Sequence, residues 1–305
     1  MKLGFVTAIL PNYSLDEVLE TAANIGYDCV EVMCWPHGMA ERRYAGVTHI
    51  DISKFTVQQA EDVLASCRNY SVKISALGYY PNPLSPDKEE SETSIQHIKK
   101  VIDASSILGI NQMNTFIGRD WKKSVEQNWP LFQRVWEPLV EYAESKKVKI
   151  GIENCPMLFT IDEWPGGKNL MTTPDIWERI FKVLDSEYFG LNFDPSHFIW
   201  QQMDYVLAIK EFGHKFYHVH AKDACMDLNS FERKGIMAYP NDFHNPKLPG
   251  LGDVDWNVFF SELKKINYQG SVCVEVEDRN YESTLERKIE ALKLSFNFLH
   301  PYFTD

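Results

Sequence analysis

Four polar side chains stand at the ends of the last four strand-like segments of the chain. They are Glu153, Asp194, His220 and Glu275. If these segments are parallel strands of one closed barrel, their carboxyl ends meet at a single mouth. Three carboxylates and one imidazole suit a borderline-hard divalent cation, with Mn²⁺ expected first and Mg²⁺, Co²⁺ or Zn²⁺ as alternatives. Four unrelated side chains, each bound by backbone amides, would be the structural alternative, which four consecutive strand ends make hard to accept.

Side-chain alternation predicts that these polar residues point into the barrel. From Val272 to Glu277 the valines occupy one face, and Glu275 and Glu277 share the other. His218 and His220 likewise share a face, since successive side chains of a strand point to opposite sides. Glu277 is the alternative to Glu275 but lies two residues further out. His218 is expected to be a hydrogen-bonded inward histidine and not a ligand.

The pattern of the whole chain predicts one (β/α)8 TIM barrel, a single domain spanning residues 1–305. Apolar strand patterns are found at Leu3–Thr7, Cys29–Met33, Val72–Leu77, Gln112–Phe116, Lys149–Glu153, Gly190–Asp194, Tyr217–His220 and Val272–Val276. Helical patterns lie between them at 15–26, 57–69, 90–108, 124–146, 174–185, 201–213, 255–266 and 281–299. Eight regular alternations favour a closed parallel barrel over a doubly wound open sheet, which a glycine-rich loop after the first strand would favour; Thr7–Pro11 is not such a loop.

Two connections are expected to be long. Pro81–Ser94 follows the third strand and Ala224–Asp255 the seventh. Loops after the strands of a barrel lie on its catalytic face, so both are candidate lids. The alternative is that they are surface insertions without a functional role.

Composition narrows the class of partner. A formal net charge of −12 argues against nucleic acid, and no apolar run approaches the roughly 18 residues of a membrane span. The six cysteines show no close pairing, which is typical of reduced thiols in a cytoplasmic protein. We therefore expect a small-molecule substrate and a cytoplasmic location, with homo-oligomerisation left open.

Three motifs carry a resemblance to a known family. Asp194-Pro-Ser-His197 matches DxxH, the residues from His218 to Asp223 match HxHxKD, and Val274–Asp278 forms an acidic eighth-strand motif. With Glu153 ending the fifth strand, the chain resembles the xylose isomerase-like TIM-barrel superfamily of sugar and sugar-phosphate isomerases and epimerases. The resemblance implies that Glu153, Asp194, His220 and Glu275 bind the metal and that His197 contacts the substrate.

Weaker matches to the sugar pocket of that family include Trp35, Asn114 and Trp200. Trp200 could equally be a core residue. Lys222 is expected to polarise a substrate oxygen together with His197, with a simple ion pair to Asp223 as the alternative. For a phosphorylated substrate, Arg233 is the first of a few basic groups to consider.

The ligand set predicts proton transfer beside a carbonyl. A divalent metal would stabilise the enediolate formed when a C–H proton leaves, and Glu153 and Glu275 would remove and return the proton. Return to the same carbon is epimerisation, and return to its neighbour is isomerisation. A lyase or dehydratase acting on a keto-inositol or a 3-keto-glycoside begins with the same step and remains an alternative.

Two other functions are weighed against this one. An apurinic endonuclease of the same superfamily needs additional histidines after the third and fourth strands, and Leu77–Tyr80 and Thr115–Gly118 contain none. A non-catalytic sugar-binding barrel is disfavoured because all four ligand positions are filled.

Overall fold

Eight parallel strands close into a barrel in the computed structural model, which describes residues 1–36, 38, 43–158 and 161–304. In chain order the strands are Lys2–Val6 (β1), Cys29–Met33 (β2), Lys73–Gly78 (β3), Gln112–Thr115 (β4), Lys149–Glu153 (β5), Phe189–Phe193 (β6), Phe216–Ala221 (β7), Asp223–Met226 (β8), His244–Lys247 (β9) and Ser271–Val274 (β10). The barrel order is β1-β10-β7-β6-β5-β4-β3-β2, and β8 and β9 form a separate antiparallel pair. The (β/α)8 prediction is confirmed, and each predicted barrel strand lies within two residues of the observed one.

Helices connect the strands around the outside of the barrel. They are Leu15–Ile25 (α1), Val57–Tyr70 (α2), Lys88–Leu108 (α3), Val125–Lys146 (α4), Pro174–Val183 (α5), Ser196–Gln201 (α6), Tyr205–Phe212 (α7), Leu228–Lys234 (α8), Trp256–Lys265 (α9) and Leu285–Leu299 (α10). The single helix predicted at 201–213 is wrong in detail. Gln202 takes a left-handed backbone conformation (φ 55°) that ends α6, and the Asp204 side chain then caps α7. Within the described ranges, every helix is too short or too polar to cross a bilayer.

Large apolar rings fill the space between strands and helices. Trp177 of α5 packs edge-on against Phe193 of β6, with ring centroids 6.1 Å apart, and against Phe212 of α7 at 5.5 Å. The inside of the barrel is different because it holds buried polar groups, which need a hydrogen-bond partner or a counter-charge. Gly78 makes room for one of them, since a Cβ at this position would lie 2.7 Å from Oε1 of Glu31.

The long connections differ from the prediction. The loop after β3 is shorter than Pro81–Ser94, because Asp87 accepts hydrogen bonds from the N–H groups of Glu89 and Glu90 and starts α3 at Lys88. The connections after β2, at 34–56, and after β5, at 154–173, are also long, as the predicted strand and helix bounds imply, although they were not singled out. The predicted long segment after β7 is present, and it folds into the β8–β9 hairpin and α8.

Asp223 ties this last segment to the barrel. Its Oδ1 accepts hydrogen bonds from the backbone N–H groups of Ala224 and Val254, at 2.9 and 3.0 Å. Its Oδ2 accepts from the N–H of Gly250 at 3.0 Å and from the indole of Trp256 at 2.8 Å. All four donors therefore depend on a buried carboxylate that only accepts hydrogen bonds.

We predict that Asp223→Asn destabilises the fold. The amide NH₂ would face N–H donors and leave buried groups unpaired, which should lower the free energy of unfolding by about 1–3 kcal/mol. Urea denaturation measures the change, and Asp185→Asn, at an exposed position after α5, should stay within about 0.5 kcal/mol of the parent. Equal stability of Asp223→Asn and the parent would contradict this role.

Candidate active site

Three of the predicted ligands meet at the carboxyl end of the barrel. His220 Nδ1 lies 3.7 Å from Oε2 of Glu153 and 3.8 Å from Oε2 of Glu275. One ligand atom from each residue falls within 4.8 Å of the others, and all three residues are buried. Among the described residues, His220 Nδ1 has no hydrogen-bond partner. An imidazole nitrogen between two carboxylates is a ligand set that could hold a divalent cation.

Asp194, the fourth predicted ligand, is outside this set of three but contacts His197 and Lys222, which also contact Glu153 and Glu275, respectively. Its backbone is fixed by Asn154, which donates from Nδ2 to the Asp194 carbonyl at 2.9 Å and accepts from the Asp194 N–H at 2.7 Å. Oδ2 of Asp194 is buried and makes no hydrogen bond to a described residue. It lies 3.3 Å from Nε2 of His197 and 3.1 Å from Nζ of Lys222.

Lys222 is a buried cation at the centre of the acidic residues. Its Nζ lies 2.7 Å from Glu275, 3.1 Å from Asp194 and 3.2 Å from Glu277. Burial alone would lower the pKa of Lys222, but these carboxylates outweigh burial and hold its pKa well above the ordinary value. The alternative of a simple ion pair between Lys222 and Asp223 is wrong, because the Asp223 carboxylate accepts its hydrogen bonds from the segment after β7 and from Trp256.

The two glutamates flanking His220 differ in their affinity for a proton. Burial, followed by the nearby charges of Glu153 and Glu277, raises the pKa of Glu275 to about 7 against the opposing effect of Lys222. Burial also favours the neutral form of Glu153, but the adjacent rings of His197 and His220 outweigh it and lower the pKa of Glu153. One carboxylate is thus held ionised while the other can carry a proton near neutral pH.

Glu31 on β2 contacts the other side of the His220 ring. Its Oε2 lies 2.7 Å from His220 Nε2, and its Oε1 accepts a short hydrogen bond from the hydroxyl of Tyr80. Burial opposes ionisation of Glu31, yet His220, His218 and Tyr80 together lower its pKa. The contact of Glu31 with His220 was not predicted from the sequence, although a lone acid within the apolar strand Cys29–Met33 is a visible signal.

His218 is satisfied by neutral partners, as expected from the sequence. Its Nδ1 lies 3.0 Å from Oδ1 of Asn192, and its Nε2 lies 3.1 Å from the hydroxyl of Ser75. Burial lowers the pKa of His218 to about 4. The ring is therefore neutral and engaged at both nitrogens, whereas His220 keeps Nδ1 turned toward the carboxylates.

A cavity at these groups is lined both by charged side chains and by aromatic rings. Glu153, His220, Lys222 and Glu275 are among the polar side chains in the lining. Trp35, Tyr80 and Phe116 are the large aromatic rings in the lining. Apolar rings together with a small number of polar groups are typical of pockets that bind a small polar ligand such as a sugar.

The connection after β2 also reaches this cavity, not only at the predicted Trp35 but also at Arg43 and Tyr44. Tyr44 lines it and donates a short hydrogen bond to the carbonyl of Val276. Arg43 lies 3.5 Å from Glu277 and 2.9 Å from Glu282. These contacts join the segment after β2 to the segment after β10.

The remaining predicted substrate contacts separate into two groups. His197 lies 3.5 Å from Glu153, and Trp200 packs edge-on behind it with ring centroids 6.3 Å apart. Trp200 also stacks on His244 and lines a different cavity. Asn114 is buried beside Gln112 below the mouth, and Arg233 is exposed on α8. Neither Asn114 nor Arg233 is among the residues that line the cavity around Glu153.

Known proteins resemble this chain over nearly its whole length. It is 25% identical over 96% of its length to the uncharacterized protein YfiH of Bacillus subtilis (strain 168), covering 98% of it. It is 23% identical over 91% of its length to an inosose dehydratase of Mesomycoplasma hyopneumoniae (strain 7448), covering 89% of that protein.

Solved structures show the same fold. D-psicose 3-epimerase, determined in the presence of D-fructose, superposes with a TM-score of 0.71 at 14% identity over 99% of each chain. A zinc-bound IolI protein superposes with a TM-score of 0.69 at 21% identity over 100% of each chain. The family model described as a xylose isomerase-like TIM barrel matches residues 19–299. The chain therefore belongs to the xylose isomerase-like TIM barrel family, whose motifs the sequence contains.

Proposed function

We propose that this chain is a divalent-metal-dependent isomerase or epimerase of a ketose or keto-sugar, with Glu153 and Glu275 as the proton-transfer pair. The observation that carries the proposal is the position of the two carboxylates. Each lies within 4 Å of the same nitrogen, Nδ1 of His220, at 3.7 and 3.8 Å. They come from β5 and from the end of β10, which β6 and β7 separate in the barrel.

The donor set fits a divalent cation. Glu153, Asp194, His220 and Glu275 would hold it, and two of their buried atoms, Oδ2 of Asp194 and Nδ1 of His220, lack hydrogen-bond partners among the described residues. Mn²⁺ remains our first choice for three carboxylates and one imidazole, while the zinc-bound IolI protein supports a divalent cation in general. A cation bound there supplies Lewis acidity, which favours loss of a proton from the carbon beside a carbonyl.

The proton is carried by the two glutamates. Glu153, held ionised, accepts the proton from carbon, and Glu275, which can be protonated near neutral pH, returns one from the other side of the substrate. Return to the same carbon with inversion is epimerisation. Return to the adjacent carbon is isomerisation, in which the hydroxyl proton moves to the former carbonyl oxygen.

Lys222 and His197 are the substrate-orienting groups in this proposal. Both are buried next to the carboxylates, and both can donate a hydrogen bond to a substrate oxygen. Trp35 and Phe116, which line the same cavity, would contact the apolar face of the sugar.

We expect Glu153→Gln and Glu275→Gln each to lower kcat/KM by at least about 10²–10⁴-fold, because an amide cannot accept or return the proton. The assay is exchange of deuterium from D₂O into D-fructose, D-psicose or an inosose, with Glu211→Gln on the outer helix α7 as the control. Full exchange by either variant, or by protein stripped of metal with a chelator, would refute the mechanism. Failure of the parent protein both to bind metal and to exchange any of these sugars would support a non-catalytic sugar-binding barrel.

A dehydratase acting on a keto-inositol is the second candidate. The 23% identity to an inosose dehydratase over 91% of the chain favours it, and so does the position of His197, 3.5 Å from Glu153 and 3.3 Å from Asp194. In this reaction Glu153 would take the C–H proton, the neighbouring hydroxyl would leave with a proton from His197 as water, and a C=C bond would form.

The two candidates differ in the mass of the product. An isomerase or epimerase should return a sugar that has lost no water and has gained mass only by exchange of hydrogen for deuterium. A dehydratase should convert an inosose into a product lighter by one water. Mass spectrometry of products from the same D₂O incubation separates the outcomes, and loss of water without exchange into recovered ketose would select the dehydratase.

Glu31 is proposed as the residue that positions His220. An ionised carboxylate can only accept a hydrogen bond, so Nε2 of His220 carries a proton toward Glu31, and Nδ1 is the nitrogen that can offer its lone pair to a bound cation. The hydroxyl of Tyr80 holds Glu31 in place by donating a hydrogen bond to its other oxygen, Oε1.

Glu31→Gln should therefore weaken metal affinity by about 10–100-fold, the usual effect of removing a partner that orients a ligand. Calorimetric titration with Mn²⁺ gives the affinity, and the thermal midpoint of the metal-free variant tests whether the fold is intact. Glu211→Gln should leave affinity unchanged. If Glu31→Gln bound Mn²⁺ as tightly as the parent, Glu31 would not position this ligand.

A further inference from the structure

The two carboxylate oxygens of Glu153 face two different groups of potential ligands. Oε2 lies 3.7 Å from Nδ1 of His220, within the group discussed above. Oε1 lies 3.5 Å from Nε2 of His197, on the other side. A carboxylate with its oxygens divided in this way can bridge two cations, which in two-metal sites lie roughly 3.5–4 Å apart.

Cys155 is the third member of the second group. One ligand atom each from Glu153, Cys155 and His197 lies within 4.8 Å of the others. The thiol is half-buried and lines the cavity that Glu153 also lines. Its position is fixed, because Sγ accepts a hydrogen bond from the N–H of Met157 at 3.4 Å and its carbonyl accepts one from Asn169 at 2.7 Å.

His197 provides a separate indication that a ligand belongs there. Its side chain is only 9% exposed, yet neither ring nitrogen makes a hydrogen bond to a described residue. A buried imidazole normally finds partners for its nitrogens. The contacts of Nε2, at 3.5 Å to Glu153 and 3.3 Å to Asp194, direct that nitrogen toward the acidic residues.

We propose that Glu153, Cys155 and His197 form a second divalent-cation site, which shares Glu153 with the His220 group and prefers Zn²⁺ or Co²⁺. Sulfur, nitrogen and oxygen donors together favour these ions over Mn²⁺ or Mg²⁺, which select oxygen ligands. On binding, the Cys155 thiol releases its proton to solvent, and the thiolate forms the bond to the cation. Occupation of this site would also engage His197 and so remove it from contact with a substrate.

The test is titration of the full-length protein with Co²⁺, followed by absorbance and by binding stoichiometry. At saturation we expect two equivalents and a thiolate-to-Co²⁺ charge-transfer band in the near ultraviolet. Cys155→Ser should bind one equivalent and lose the band. The matched control is Cys225→Ser, since Cys225 is also half-buried but lies in the hairpin strand β8; this variant should retain both equivalents and the band.

A further variant separates this site from the proposed catalytic centre. Glu275 belongs only to the His220 group. Glu275→Gln should therefore lower the affinity for one of the two Co²⁺ equivalents and keep the charge-transfer band. Absence of the band in the parent protein, or its persistence in Cys155→Ser with an unchanged thermal midpoint, would overturn the proposal. A single equivalent whose band depends on Cys155 would also overturn it, because the two ligand groups would then be one site.

Discussion

The electrostatic balance between one buried ammonium and the carboxylates around it is the interaction on which the mouth of the barrel depends. Glu275, Asp194 and Glu277 all lie within 3.2 Å of Lys222 Nζ. Several carboxylates buried without a cation would repel one another and lose their hydration, so the group would not remain ionised in that form. Lys222 allows negative charge to stay concentrated at one end of a largely apolar barrel.

Residues on the strands of the barrel fix the orientation of the side chains at this charged mouth. Glu31 contacts Nε2 of the His220 ring and Tyr80 donates a hydrogen bond to Glu31, so the orientation of the imidazole is set by residues of β2 and the segment after β3. Gly78 contributes by having no side chain where Glu31 must fit. The proposed metal ligands thus lie on strands or directly after them, whereas much of the cavity is lined by the longer connections, an arrangement typical of TIM-barrel enzymes.

Lys222 and Asp223 are neighbours just after the end of β7, and they have two different roles. One is a charged group in the mouth of the barrel, and the other holds the segment that follows β7. The side chains of adjacent residues at a strand end point to opposite sides. Lys222 turns into the mouth, while Asp223 turns toward the segment that contains β8, α8 and β9 and accepts four hydrogen bonds from that segment and Trp256. The motif therefore positions a charged group inside the cavity and, one residue later, fixes the segment that borders it.

The sequence alone was sufficient for the barrel, for the segments that form its strands and for the inward direction of Glu153, His220 and Glu275. These follow from local information, because periodic apolar residues define each element and strand parity assigns each side chain to a face. Helix caps such as Asp87 are also local signals. The acidic residues after Asp87 were nevertheless assigned to a loop, so the predicted start of α3 is wrong by two residues.

Other features depended on which distant segments meet. Glu31 and His220 are 189 residues apart, and no spacing rule joins them. The same holds for the three carboxylates around Lys222 and for the segment at Arg43 and Tyr44 that reaches the cavity. It also holds for Glu153, whose two oxygens lie near different histidines, His220 and His197. Residue types and strand parity determined which groups could do chemistry at the mouth of this barrel. Only the closed three-dimensional arrangement decided which of them touch, because those contacts join residues that the chain itself keeps far apart.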